Sequence, residues 1–376
     1  MYKTNVLHVI DTLGVGGAEK LLVGIVNGLE QFNHHVVYLN GSDELAKNLS
    51  PDCRLLNLHM RSKKDTLRCV LRLKQYIREN KIEIVHSHLV MATTIARLAC
   101  SKKIPLFTTL HSLLGSRFFK KGNTWQRMVE KITYKKRHHV IAVSGNVLKD
   151  YDNAIGIKGS YTILPNFVEN DFFANEPRRM SFNGTLRLVS VGNLKAPKNY
   201  SFLVEAFKEL PKGIHLDIYG DGPLKEELQK EIDEHKLNIR LCGLKNNVHE
   251  LLRQYDLFVM SSTVEGHPIA LLEAMASGMP AIVSDIPVLK EATGEKALYF
   301  GLDNTKDFVK QITAIANHQV DLDVYARANL ETVKAFASKE RYMFLLKNLY
   351  AESLLSEKPE QRTQPVFRPA LNLQTS

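Results

Sequence analysis

Short runs of β-branched and apolar residues recur along the chain, and stretches with helical period separate them. In the first half VLHVID, HVVYLN, IEIVHSH, PLFTTLHS and HVIAVS read as strands. In the second half LRLVSVGN, HLDIYGDG, IRLCGL, DLFVMSS and PAIVSD do the same. Between them, AEKLLVGIVNGL, YSFLVEAFKEL and PLKEELQKEIDEH space their apolar residues as helices. Strands alternating with helices predict parallel sheets covered on both faces. Because the rhythm runs twice, the expectation is an α/β chain of two Rossmann-like, doubly wound domains, residues 1–165 and 166–350. The last helix is free to pack back on the first domain. The break falls at TILPNFVENDFFANEP, where strand pattern gives way to Pro, Asn and acids. Residues 357–376, rich in Pro, Gln and Thr, read as a loose tail. Ligands of open α/β sheets sit beyond the carboxyl ends of the strands, so two facing domains predict a cleft lined by strand-end loops.

Composition narrows the class. With 44% apolar and 24% charged residues, the chain reads as soluble and globular. Its four cysteines are scattered, which suggests neither a disulfide framework nor a zinc site and points to a reducing cytosol. Arg97 interrupts LVMATTIARLAC, so no apolar run approaches a membrane span, and the N-terminal MYKTNVLHVID reads as a strand rather than a signal peptide. Charge is uneven: residues 1–165 hold 25 Lys and Arg against 12 Asp and Glu, whereas the remainder holds 25 against 28. Residues 101–140 alone carry ten basic residues opposed by Glu130. Such a patch seeks an anionic partner or forms a solvated face.

The most pointed chemistry lies in EGHPIALLEAMASG, residues 265–278. Pro268 suits the first helical position and Gly278 suits the end, so a helix follows the strand DLFVMSS. Glu273 would then sit among Ala270, Leu271, Leu272, Ala274, Met275 and Ala276 in a helix apolar on nearly every face. A buried carboxylate needs a partner, either a ligand offering hydroxyls or a protein donor. Glu265 lies in the loop before it, and the helix N-terminus offers N–H groups to an anion.

These residues resemble the Glu-x7-Glu element of the retaining nucleotide-sugar glycosyltransferases of family 4. LGVGGAEK, TTLHS, TILPNFV, VGNLKAPKN, YGDGP and LCGLKNNVHELL resemble further family segments, in the same order, over about residues 5–300. The resemblance implies the GT-B type of fold, two Rossmann-like domains facing across a cleft. It implies that Glu273 accepts hydrogen bonds from the nucleotide ribose, that Glu265 meets the transferred sugar and that Lys198 neutralises the diphosphate. It places Gly266, His267, Pro268, Ile269 and Ala270 along the same ligand, with Gly16 and Gly17 close to the diphosphate and His111 beside the reacting sugar. Leu244 and its neighbours would touch the base through their backbone. Where the family usually has Arg after the loop glycine, this chain has Asn193, and Lys195 stands two positions on. No cofactor and no metal are expected beyond a nucleotide diphosphate sugar, by default a UDP-sugar. His86 and His88 read as strand-end residues, and DYD and DLD, residues 150–152 and 321–323, as surface strings.

Three rival readings are weaker. A nicotinamide oxidoreductase would want a third glycine where Glu19 stands and an acid where Asn40 ends the second strand. A nucleic-acid-binding module would leave Glu273 unexplained. A nucleotide-sugar epimerase would share the architecture, but the Glu-x7-Glu loop and LPNFV favour transfer. Phe118, Phe119 and Trp125 interleave with the basic residues of 117–139, which suits an anionic bilayer at the cytoplasmic face and a glycan or lipid-linked acceptor.

Overall fold

The computed structural model describes residues 2–117, 119, 124–177, 184–245 and 247–355. The expected tail at 357–376, and Phe118, Lys120 and Lys121 of the basic region, lie outside them. The chain divides into two compact units, Met1–Pro165 with Glu340–Ser376, and Asn166–Lys339.

The first unit holds a parallel seven-stranded sheet. Its strands are β1 (Asn5–Ile10), β2 (Asn33–Tyr38), β3 (Arg54–Asn57), β4 (Ile84–His88), β5 (Leu106–Leu110), β6 (His138–Ala142) and β7 (Tyr161–Ile163). They lie in the order β3-β2-β1-β4-β5-β6-β7, so the winding reverses between β1 and β4. β4 and β5 are buried throughout, as expected of strands covered on both faces. The helix Lys339–Leu355 returns to this unit, where Tyr350 is fully buried against Phe32 and Phe107. Met343 of the same helix packs over Gly28, where a Cβ would come within 2.9 Å of its methyl.

The second unit repeats the scheme with β8 (Leu186–Val191), β9 (Ile214–Tyr219), β10 (Ile239–Gly243), β11 (Leu257–Met260), β12 (Ala281–Ser284) and β13 (Leu298–Phe300). The order is β10-β9-β8-β11-β12-β13, and the winding reverses between β8 and β11. The helix Ile269–Ala276 follows β11. Eight residues are too few for a helix to persist alone. Leu271, Leu272 and Met275 are fully buried in it, and each such side chain contributes about 2 kcal/mol by leaving water. The core, rather than helical propensity, therefore fixes this element.

Candidate active site

In the second unit two strand-end loops meet at the reversal point, the place where open α/β sheets bind ligands. β8 leads into Gly192, Asn193 and the short turn Ala196–Lys198, and β11 leads into Ser261 through Glu265. Lys198 Nζ lies 2.6 Å from Glu265 Oε1, and Ser262 Oγ donates to the same oxygen at 2.6 Å. Ser261 Oγ donates to the carbonyls of Lys198 and Asn199 at 2.9 and 3.0 Å, and Thr263 N–H donates to Pro197 O at 2.9 Å. The two loops are thus stitched together, and the charged pair is mostly shielded from water. Asn199 makes the turn with φ of 52°. Gly192 leaves room for the lysine stem: a Cβ there would fall 3.1 Å from Lys198 Cε and 3.0 Å from Tyr200 Oη.

Glu273 is 8% exposed, whereas Leu271, Leu272 and Ala274 through Ala276 show none. Glu273 is thus the one residue of 271–276 that keeps some exposure. Pro268 takes the N-cap, one residue earlier than the position expected for it, with extended backbone at φ −77° and ψ 105°. Gly278, at φ 70°, ends the turn, and Met279 N–H donates to Ala274 O. Gly266 is buried, Ile269 and Ala270 are half-buried at the helix start, Lys195 is exposed and Asn193 half-buried. Leu244, just past β10, is 54% exposed.

His267 is buried, and its Nδ1 accepts the Asn166 N–H at 3.2 Å while Asn166 Nδ2 donates to the His267 carbonyl at 2.7 Å. The ring also lies edge-on to Phe336, and burial pushes its pKa down to about 4. The segment LPNFV is thereby clamped to the Glu265 loop, a role for Asn166 that its sequence context did not reveal. A cavity of about 430 Å³ in this unit is lined by Arg187, His215 and Arg240 among others. These residues open their strands, so the cavity lies at the end opposite the expected ligand side.

In the first unit β1 runs into Asp11, whose Oδ1 accepts the Ala92 N–H at 2.7 Å and anchors the start of the helix Val90–Ala99. Burial raises the pKa of this carboxyl. Gly16 caps the helix Gly17–Gly28, and the Glu19 carboxylate lies over its α-carbon, so a side chain at this position would have to push that carboxylate aside. Glu19 is itself buried. His111, half-buried after β5, meets His88 Nδ1 through its Nε2 at 3.1 Å. Burial holds the His111 pKa down to about 4.

His8 joins His86 and His88 in a fully buried group of imidazoles with one nitrogen of each within 4.8 Å of the others. Sequence spacing did not show this third ring, which comes from β1. Both nitrogens of His86 are engaged, with Tyr350 Oη at 2.6 Å and Thr109 Oγ1 at 2.7 Å. The D-x-D strings serve as caps: Asp150 accepts the Gly115 and Ser116 N–H groups, and Asp321 accepts the Asp323 N–H.

The basic region carries one correction. Phe119 is 3% exposed and packs with Leu110, Tyr134 and Val140, so it belongs to the core rather than to a surface. Trp125, Met128 and Ile132 do face outward, on one stripe of the helix Thr124–Thr133. Glu130 turns inward, 2.6 Å from the fully buried Arg97 and bonded by Tyr151 Oη. The single acid of residues 101–140 thus does not offset the surface charge of Lys131, Lys135 and Lys136.

The family description "Glycosyltransferase Family 4" matches residues 15–172, and "Glycosyl transferases group 1" matches residues 173–331. The alpha-monoglucosyldiacylglycerol synthase of Acholeplasma laidlawii is 27% identical over 380 residues, covering 90% of this chain and 94% of that protein. The UDP-Gal:alpha-D-GlcNAc-diphosphoundecaprenol alpha-1,3-galactosyltransferase of Escherichia coli is 28% identical over 58% of this chain and 62% of its own length. Anabaena HepE, solved with UDP and glucose, superposes with a TM-score of 0.76 at 16% identity, covering 93% of this chain and 100% of that one. With two family descriptions meeting end to end across two parallel α/β units, the chain belongs to glycosyltransferase family 4 and has the GT-B fold.

Proposed function

We propose that this glycosyltransferase moves a sugar from a nucleotide diphosphate sugar, by preference a UDP-sugar, to a hydroxyl of a glycan or lipid-linked acceptor with retention at the anomeric carbon. The observation that carries the reading is the Lys198–Glu265 pair at the reversal point of the second sheet, with Glu273 in the helix that follows. When the bond from anomeric carbon to diphosphate oxygen breaks, negative charge gathers on the leaving phosphate. Lys198 is the fixed cation for that charge, with exposed Lys195 as a second, and preorganised charge of this kind supplies much of an enzyme's rate. Glu265 accepts from Lys198 and Ser262 through Oε1, which keeps Oε2 available for a sugar hydroxyl. Glu273 accepts the ribose hydroxyls. The acceptor oxygen attacks the face the phosphate leaves, a new carbon–oxygen bond forms, and the acceptor proton passes to the leaving phosphate. No protein nucleophile is assigned and no metal is invoked.

The acceptor class draws on two further observations. Two of the relatives are named for lipid-bearing molecules, an alpha-monoglucosyldiacylglycerol and an alpha-D-GlcNAc-diphosphoundecaprenol. Trp125, Met128 and Ile132 form an exposed apolar stripe flanked by Lys131, Lys135 and Lys136, the pattern of a helix that lies on an anionic bilayer. No helix of the described residues is long and apolar enough to cross a membrane. The reading is a peripheral enzyme of surface polysaccharide or glycolipid synthesis at the cytoplasmic face.

A panel of nucleotide sugars, incubated in EDTA with diacylglycerol and polyprenyl-diphosphate glycan acceptors, tests the chemistry. An α-donor should yield an α-linked product at an EDTA-independent rate. A β-linked product, activity rescued only by Mn²⁺, or a free epimerised sugar nucleotide would contradict it. In sedimentation, binding to vesicles should rise with anionic lipid content, and indifference to that content would remove the bilayer from the account.

A further inference from the structure

In the first unit, the protonation of a chain of histidines is set from a single carbonyl. His34 Nε2 lies 2.9 Å from Leu29 O. A carbonyl only accepts, so this nitrogen carries the proton and His34 Nδ1, in a neutral ring, is bare. His8 Nε2 lies 3.2 Å from that Nδ1, so it is the donor and His8 Nδ1 is bare in turn. His8 Nδ1 is buried without a hydrogen-bond partner, and so is Nε2 of the neighbouring His88, whose ring centroid lies 5.8 Å away. If His88 Nε2 were also bare, the buried group would hold two unmatched lone pairs. A proton on Nε2 instead leaves one N–H and one lone pair in the group, the less repulsive arrangement, although neither atom reaches a hydrogen-bond partner. His88 Nδ1 is then an acceptor, and the His111 Nε2 that meets it at 3.1 Å must donate. His86, the third imidazole, spends both nitrogens on Tyr350 and Thr109, so the group supplies a proton chain rather than three metal ligands.

We propose that His88 is the positioning residue for His111, holding it as the Nε2–H tautomer and leaving Nδ1 as the acceptor that meets a substrate hydroxyl. The consequence for catalysis rests on the role given to His111 above, whereas the tautomer stands without it. No other hydrogen bond of the His111 ring is made among the described residues. The ring therefore depends on His88 for its orientation.

Long-range ¹H–¹⁵N correlation on the full chain with ¹⁵N-labelled histidine reads the tautomer, with the His111 signals identified by their loss in His111→Gln. The expected spectrum has the His111 proton on Nε2 in the wild type, and that preference disappears in His88→Leu. Turnover in His88→Leu should fall roughly 10- to 100-fold through kcat, with UDP affinity unchanged, as a misplaced group predicts. His88→Asn, whose Oδ1 replaces the Nδ1 acceptor, should regain most of that loss. A wild-type His111 protonated on Nδ1 overturns the proposal even if a variant fails to fold. So does a His88→Leu enzyme with full kcat when His111→Gln is inactive. Full activity in His111→Gln would instead sink the catalytic role of His111 and leave the tautomer to the spectrum.

Discussion

Lys198 and Glu265 face each other at 2.6 Å from loops 67 residues apart in sequence, and each limits where the other can go. Lys198→Met should lower kcat by about 100-fold or more, the usual cost of one preorganised charge at a developing oxyanion. Glu265→Gln keeps the Ser262 bond and the shape, so its loss should be smaller and should vary with the sugar. Steady-state turnover on two donor sugars, with circular dichroism to confirm folding, separates the two. Equal losses for both variants on all sugars would argue that the pair is only structural. Both residues were legible in the sequence through the resemblance of VGNLKAPKN and EGHPIALLEAMASG to family segments, since a loop lysine or a loop acid taken alone is most often just solvated. Ser261, Ser262 and Asn166 were not, because their partners lie across the fold: the Asn166–His267 bonds span 101 residues. Glu19 was read only as a missing glycine, and its closeness to Gly16 is a matter of three dimensions.

Among the elements, the helix Thr124–Thr133 depends on one buried pair. Arg97 and Glu130 are almost without exposure, Tyr151 Oη donates to Glu130, and the Arg97 guanidinium lies 5.0 Å from the centre of the Tyr134 ring. Arg97→Leu leaves a buried carboxylate uncompensated and should cost about 3–5 kcal/mol, whereas adding Glu130→Leu should recover most of that. Urea unfolding of the three variants measures it, and a double variant no better than the single would refute the pairing argument. Sequence pattern placed ten strands, those with long β-branched runs. It missed β3, β7 and β13, all edge strands, which are short and partly exposed, whereas the equally short β11 and β12 are buried throughout and read as apolar runs. Their segments RLLN, YTI and LYF are too short for a period of two to register. The helix over the basic region was visible as charge, but periodicity alone could not say that Glu130 turned inward and Trp125 outward.

For the whole chain, stability should depend on acid. His8, His86 and His88 are held neutral by burial, His35 and His267 are pushed down to about 4, and His138 to about 3. An unfolded chain protonates these rings near pH 6.5, so it binds more protons than the folded one between that value and the folded pKa. The stability is complete above about pH 7 and is lost as pH falls; His267 alone should account for about 2 kcal/mol at pH 5. Melting temperature should therefore drop steeply between pH 7 and 5, and a flat profile would refute the neutral histidines. The two-unit α/β plan was readable because each half repeats the same strand and helix rhythm. The buried histidine group was not, because β1 and β4 become neighbours only when the winding reverses.

Ligand-detected NMR of the wild type and Glu273→Ala against a panel of nucleotide sugars and free nucleotides tests donor binding by the second unit most directly. The account predicts saturation transfer to the ribose and base protons of a UDP-sugar in the wild type and at least a tenfold weaker affinity in the variant. Equal affinity in the two proteins, or binding of none of the panel by a folded wild type, would contradict it.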